Sequence, residues 1–417
     1  MSASLGSEPS MGASAPGRGV QGKILAYYIY YLASQAAFPR GIFVLFLMSR
    51  QFSGEQIGLL QAVLFWATVA SEVPTGMMGD RFGRKQSVSL GLGLFILYCA
   101  GVILASGFVP FLLLYCTFGV AKSFISGSDR ALLFDYLKAH GREGDFLRID
   151  ARSKALGALS LAVAIVVGGY LQRVSWSLVY IAYGLAFVIS LAAWSRLQDL
   201  RPVADGGEAH EHGIGIVQQL GRFFLRQPGR RLMWIVVGTA FLAGAITPYY
   251  IFAQALFQGY GLEPYQIGSI ISLAEVLACG AYLLAEYVSR WLSVDRAFYL
   301  AAALTAGLLL LNRLSNLWLM MFVFLLVVSI GPLMEVLLGN YFIGKVPGPI
   351  RASALSFVSF VQSAVISLGY VCYGYALEAE QLPRLIALSA LLPCAAAGCT
   401  FVYFKRVKAS GATQHPI

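Results

Sequence analysis

Long apolar runs separated by short polar turns set the pattern of this chain. Twelve runs can be placed, at about 24–48, 57–79, 86–106, 110–136, 152–172, 177–197, 231–256, 265–290, 296–312, 317–343, 352–377 and 384–404. About 20 apolar residues are enough for a helix to cross the hydrocarbon core of a bilayer. Each run therefore predicts a membrane-spanning helix, and the longer ones predict tilt or extension beyond the lipid. The connection from Gln198 to Arg230 is the longest. Its second part, 214–226, has the spacing of an amphipathic helix lying on a membrane surface. The expected organisation is a tail over 1–23, six spans over 24–197, a linker over 198–230, six spans over 231–404 and a tail over 405–417.

Composition agrees with that pattern. Hydrophobic residues make up 58% of the 417 and charged residues 12%, against about 25% charged in soluble domains. The first 20 residues are rich in Ser, Gly, Ala and Pro without an apolar core, so they predict a disordered tail rather than a signal peptide. A net charge of +10 would suggest nucleic acid in a soluble protein. Here its location matters more, because basic residues stay on the cytoplasmic side of membrane proteins. With both termini cytoplasmic, only Arg50, Arg173, Arg313 and Arg384 of the 30 Lys and Arg fall outside, and Arg40, Lys122 and Arg130 fall within spans. The reverse orientation would place the great majority outside.

The two halves carry weak repeats. Gln56-Ile57-Gly58 opens the second run and Gln266-Ile267-Gly268 the eighth; Arg152 to Leu156 opens the fifth and Arg351 to Leu355 the eleventh. Their symmetric placement is the signal, since repeated halves with a site between them are a transporter architecture.

Between the second and third runs lies Gly76-Met77-Met78-Gly79-Asp80-Arg81-Phe82-Gly83-Arg84-Lys85. This turn resembles the cytoplasmic signature of the major facilitator superfamily, G-x-x-x-D-R-x-G-R-K, at every defined position. The resemblance implies an all-α membrane protein of twelve helices in two six-helix bundles, with both termini cytoplasmic. It also implies a latch. Gly76 lets another helix approach, and Asp80 faces the N-terminus of the eleventh helix near Arg351. Arg84 pairs with Asp135 at the inner end of the fourth span, and Arg81, Gly83 and Lys85 complete the motif. The second half, at Ala285 to Trp291, has no good copy, so the latch is expected to be one-sided. Two motifs frequent in drug:proton antiporters of the superfamily are defective. Tyr115 stands where an arginine is expected if Gly119 is the motif glycine, and Gly168-Gly169 lacks the preceding Gly-Pro.

Charges inside the spans are the candidate chemistry, because each costs about 2.5–3.5 kcal/mol at the bilayer centre. Glu275 falls near the midplane. Low dielectric favours the neutral form of a carboxylate, which makes Glu275 the first candidate for proton coupling, ahead of Glu335 and Glu72. The alternative is a static ion pair, such as Glu275 with Lys122. Arg40, Lys122, Gln35, Tyr249, Tyr250, Gln254 and Gln362 are candidate cavity residues, since a glutamine has no reason to face lipid; for the tyrosines, packing or interface anchoring is the competing reading. Asp129 fits either the cavity or the latch network. Trp176, Trp234, Trp291 and Trp318 read as interfacial anchors.

The six cysteines sit in apolar runs without metal spacing, and the four histidines suggest no metal site. No phosphate-binding loop or nucleophile–base pair is legible, so no enzyme, cofactor or nucleic-acid partner is expected. The expected partners are a small-molecule substrate, protons and the lipid bilayer, with the protein a monomer in a bacterial inner membrane. The favoured expectation is export of a small amphipathic compound in exchange for protons. The alternatives are import or uniport of an anionic metabolite, favoured by Arg40 and Lys122, and a transporter-like receptor that moves nothing.

Overall fold

A computed structural model of the chain describes residues 18–198, 221–226, 229–347 and 350–409, and these are helical almost throughout. The first half contains α1 (Arg18–Ser34), α2 (Phe43–Ser49), α3 (Gly54–Phe82), α4 (Arg84–Leu104), α5 (Phe108–Ile125), α6 (Ser128–Ala139), α7 (Phe146–Gln172) and α8 (Trp176–Ser195). The second contains α9 (Gly229–Gly259), α10 (Pro264–Trp291), α11 (Val294–Leu311), α12 (Leu317–Lys345), α13 (Arg351–Glu378), α14 (Leu382–Leu388) and α15 (Leu391–Ala409). Among the described residues, eleven helices are long and apolar enough to cross a membrane. Most of the expected amphipathic linker helix lies outside the described residues; 221–225 are helical.

The differences from the expected spans have local causes. The first run is not one helix: it stops at Ser34 and restarts at Phe43, around Pro39, which cannot donate to a helical ladder. The fourth run breaks at Gly127, which holds a left-handed conformation with φ +79° that side chains resist. Helix α1 begins at Arg18, inside the stretch expected to be a tail, because Val20 is buried and the Lys23 ammonium donates to the Arg196 carbonyl. Helix α15 runs to Ala409, likewise into the expected tail, with Tyr403 and Phe404 packed into an apolar cluster with Phe342.

Short loops make successive spans antiparallel, so the molecule has two ends. One carries the turn 76–85 and is called the basic end here; the other is the far end. Gly83 links α3 to α4 at φ +105°. Helix α8 ends against two lysines: Lys23 donates to the Arg196 carbonyl, and Lys85 Nζ donates to the Ser195 and Leu197 carbonyls at 2.8 and 2.7 Å. Cations at a helix C-terminus satisfy its orphan carbonyls and oppose its dipole. Fully buried Trp194 donates from Nε1 to the Lys85 carbonyl at 3.0 Å, tying the turn to α8.

The helices of each half pack mainly on one another, and the halves meet along α3 with α13, α7 with α10, and α2 with α9. The tripeptide repeat does the same two jobs in each half. Gln56 and Gln266 close capping boxes at the starts of α3 and α10, accepting from the Ser53 and Glu263 amides at 3.1 and 2.9 Å. One turn on, Gly58 lies against the Tyr370 carbonyl of α13, and Gly268 against the Ile165 carbonyl of α7. In lipid, helices associate by close packing rather than by a hydrophobic force, and both glycines open that approach at the far end.

Candidate substrate cavity

A cavity of about 820 Å³ lies between the halves, within the size range of small-molecule sites. Arg40, Phe65 and Lys122 line it from the first half; Tyr250, Glu275, Tyr282, Glu335 and Gln362 are among its lining residues from the second. Its wall reaches toward the basic end at Ile235, Phe342 and Leu355. There Leu355 and Ser359 are shared with a vestibule of about 290 Å³ that adds Glu72, Gly76, Ser123, Ser126 and Ser356.

Helix crossings seal the far end. The Gly54 amide at the start of α3 donates to Glu378 Oε2 of α13 at 2.7 Å, placing a carboxylate at a helix N-terminus, where the dipole favours it. Gly54 and Gly374 are in backbone contact, so a side chain at either would overlap the facing chain. Gly168 of α7 lies against the Phe38 carbonyl, and Arg173 stacks over Tyr265 at 5.1 Å. The basic end is apart. Gly76 has open space before it, Met77, Met78 and Phe82 are exposed, and so is Arg351. The structure is thus closed at the far end and open at the basic end.

The cavity's centre is an ion pair between the halves. Arg40 Nε, on the link between α1 and α2, donates to Glu275 Oε1 of α10 at 3.0 Å. The Tyr250 hydroxyl of α9 donates to the same oxygen at 2.7 Å, and the Arg40 guanidinium lies 5.6 Å from the Tyr250 ring centroid. The partner of Glu275 is therefore Arg40 rather than Lys122. Lys122 opens onto the cavity and makes no ion pair among the described residues.

Glu335 accepts from the Tyr282 hydroxyl at 2.9 Å. Sequence reading passed over Tyr282. Its signal was present: it lies seven residues after Glu275 on one helix, hence on the same face.

Other expected residues lie elsewhere. Gln254 and Tyr249 are fully buried, with Tyr249 donating to Asn312 Oδ1 at 3.2 Å, and neither lines the cavity. Gln35 packs beside Gly157 of α7, and Glu72 lines only the vestibule. Asp129 does not line the cavity either. It is buried toward the basic end of the first half, where the Tyr30 hydroxyl donates to it at 3.3 Å. Its neighbour Arg130 grips Asp150 through two nitrogens at 2.9 and 2.8 Å, and Lys154 pairs with the same carboxylate at 3.1 Å. In the signature turn, Arg84 is paired with Asp135, while Arg81 lies 5.6 Å from the Phe82 ring centroid. The side chain of Asp80 lies outside those described.

A membrane protein of this kind, with helices of two halves around a polar-centred cavity sealed at one end, has the architecture of a solute transporter. The chain belongs to the Major Facilitator Superfamily, whose family model matches residues 24–370. A curated relative, the uncharacterized MFS-type transporter YxaM of Bacillus subtilis (strain 168), is 24% identical over 236 residues, which is 56% of this chain and 57% of that protein. The match thus spans little more than half of the relative's length. Among solved structures, a mutant of the nucleoside transporter NupG superposes with a TM-score of 0.74 at 13% identity, over 93% of this chain and 99% of that one. A bacterial homologue of the lysosomal transporter Spinster, inward-facing and unoccupied, gives 0.71 at 14% identity, over 97% and 100%. A bacterial homologue of the iron transporter ferroportin, inward-facing, gives 0.66 at 14%, over 93% and 98%. These likenesses concern the fold.

Proposed function

We propose that this protein exports a small amphipathic organic compound in exchange for protons, by alternating access of two six-helix halves. On this reading α1 and α2 together make the first of twelve spans, and both termini are cytoplasmic in a bacterial inner membrane. The basic end is then the cytoplasmic end, as the distribution of Lys and Arg favours, and the cavity is open inward. The protein works as a monomer, with protons and one small solute as its partners. The cargo names of the similar structures differ among themselves, so cargo is argued from this cavity alone.

The observation that carries the reading is the Arg40–Glu275 pair, because it links a carboxylate to the opposite half inside the cavity. A proton arriving on Glu275 removes its charge and leaves a weaker hydrogen bond to Arg40. The halves lose part of what holds them together, and Arg40 is released to the cavity. Glu335, donated to by Tyr282, and Glu72 in the vestibule offer stations toward the basic end. Each elementary charge moved across the membrane contributes about 2.3 kcal/mol per 100 mV, a modest drive for a solute pumped uphill. At the basic end, Asp80 and the start of α13 near Arg351 would close the latch when the cavity turns outward. Gly76 would allow that approach.

A second reading is import or uniport of an organic anion. Lys122 favours it, since a cavity cation lacking an ion-pair partner invites an anionic group, with Arg40 as the second cation. Proteoliposomes holding a pH-sensitive dye separate the two. Lipophilic cations, neutral aromatics and organic anions would be offered in turn. Substrate-dependent proton movement lost in Glu275→Gln supports coupled export. Substrate movement without protons rejects it and directs attention to Lys122.

A further inference from the structure

Gln254 of α9 completes a broken helix in the other half of the molecule. Its Nε2 donates to the Arg40 carbonyl at 3.1 Å, and its Oε1 accepts from the Val44 amide at 2.9 Å. Val44 and Arg40 are four apart, the spacing at which an α-helix bonds amide to carbonyl. Val44 lies in the first turn of α2, whose amides have no partner within the helix. The residue before that turn, Ile42, offers no side-chain cap. The amide of Gln254 thus stands in the place of one missing helical hydrogen bond, and it is wholly buried there.

The location gives the insertion its meaning. Val44 and Gln254 are 210 positions apart, and so are the repeated tripeptides beginning at Gln56 and Gln266. Residues in equivalent places of two repeats touch only where the repeats meet. Arg40 and Tyr250 have the same separation, and they too are in contact. The link 35–42 is itself wedged at the sealed end. Gly41 faces Ile165 of α7 and Gly268 of α10, and the Phe38 carbonyl lies against Gly168. The contact of Gly41 with Gly268 crosses between the halves and must part when the far end opens, while Ile165 and Gly168 belong to the same half as the link.

We propose that Gln254 is a positioning residue that ties far-end closure to the placement of Arg40. While the far end is shut, Gln254 splints the break between α1 and α2 and holds Arg40 against Glu275. When the halves part there, Gln254 withdraws. The Val44 amide and the Arg40 carbonyl then bond directly, and Arg40 turns away from Glu275. This rests on the alternating-access reading. A distance measurement tests it apart from any transport assay, so its failure is told apart from failure of the transport reading.

The probe is a pair of spin labels at the far end, on Glu55→Cys at the start of α3 and Arg384→Cys in α14, in a background without the six native cysteines. Both positions are exposed and belong to different halves. Gln254→Leu keeps bulk and removes both hydrogen bonds. Both bonds are lost while their partners stay buried, so the far-end-open population should rise by about tenfold or more. Gln254→Glu is the discriminating variant. Its carboxyl, when protonated, donates and accepts as the amide does; when ionised it only accepts and repels the Arg40 carbonyl. The charged residue that Gln254 bonds is Arg40; Glu275 and Tyr250 contact Arg40 in turn, and Lys122 lines the same cavity. The far end should close at low pH and open at high pH more steeply in Gln254→Glu than with Gln254 intact, and Gln254→Leu should lack that extra response. An unchanged distance distribution in Gln254→Leu overturns the proposal. If Gln254→Leu does not fold, a pH response in Gln254→Glu no larger than with Gln254 intact overturns it instead.

Discussion

Arg40 and Glu275, 235 positions apart in sequence, share a hydrogen-bonded ion pair of 3.0 Å inside the central cavity. The Arg40 side chain is 47% exposed and that of Glu275 19%, so water and solute reach the pair from the cavity. A pair of this kind is strong enough to hold a conformation and open enough to be broken by a proton or an anion.

Glu275→Gln should abolish substrate-dependent proton flux while sparing exchange of labelled substrate across the bilayer. Breaking a buried pair costs about 3–5 kcal/mol, but the exposure of Arg40 lowers that to about 1–2 kcal/mol of stability. Flux with a pH dye, beside thermal unfolding in detergent, checks both statements. Unchanged coupled flux would move the proton to Glu335 or Glu72.

Lys122→Met should leave the fold intact, since Lys122 makes no ion pair among the described residues. If the cargo carries an anionic group, its affinity should fall by about tenfold or more, in line with about 1.5–3 kcal/mol for a hydrogen bond to a charged group. Binding of a substrate with and without its carboxylate provides the comparison. Equal affinities in wild type and variant would remove Lys122 from the site.

Gly374→Val should prevent closure of the far end. The added side chain would overlap the Gly54 backbone, and overpacking of this sort costs about 1–3 kcal/mol. The variant should populate a far-end-open state, read as faster labelling of a cysteine placed on the far-end half of the cavity wall. Labelling as slow as in wild type would mean that the α3–α13 crossing does not gate access.

Asp80→Asn, at the basic end, should reduce transport several-fold with normal insertion and yield. On the latch reading the charge would be lost from the N-terminus of α13, where the helix dipole is worth about 0.3–1 kcal/mol to an anion. Initial rates in proteoliposomes decide it, and wild-type rates would remove the latch.

Much of the fold was written in hydropathy. Runs long enough to cross lipid are a local property, and α3 to α13 lie close to where the runs place them. The breaks were less legible. Pro39 sits in the first run and Gly127 in the fourth, but a proline or glycine within a span can be tolerated, and neighbouring helices decide whether it interrupts. In the turn 76–85 one expected pairing is present. Its Arg84 finds Asp135, while Lys85 caps α8, a role that depends on where the end of α8 comes to rest.

By itself the sequence determined the membrane class, the succession of apolar helices, the repeated capping glutamines and crossing glycines, and the charges that must avoid lipid. Only the tertiary structure decided which charge meets which. Glu275 faces Arg40 and not Lys122, Tyr282 serves Glu335, Glu378 caps α3 and Gln254 mends the break between α1 and α2. The reason is physical. Span formation depends on some 20 consecutive residues and their transfer into lipid, whereas these pairings depend on two helices far apart in sequence meeting at one depth and one rotation.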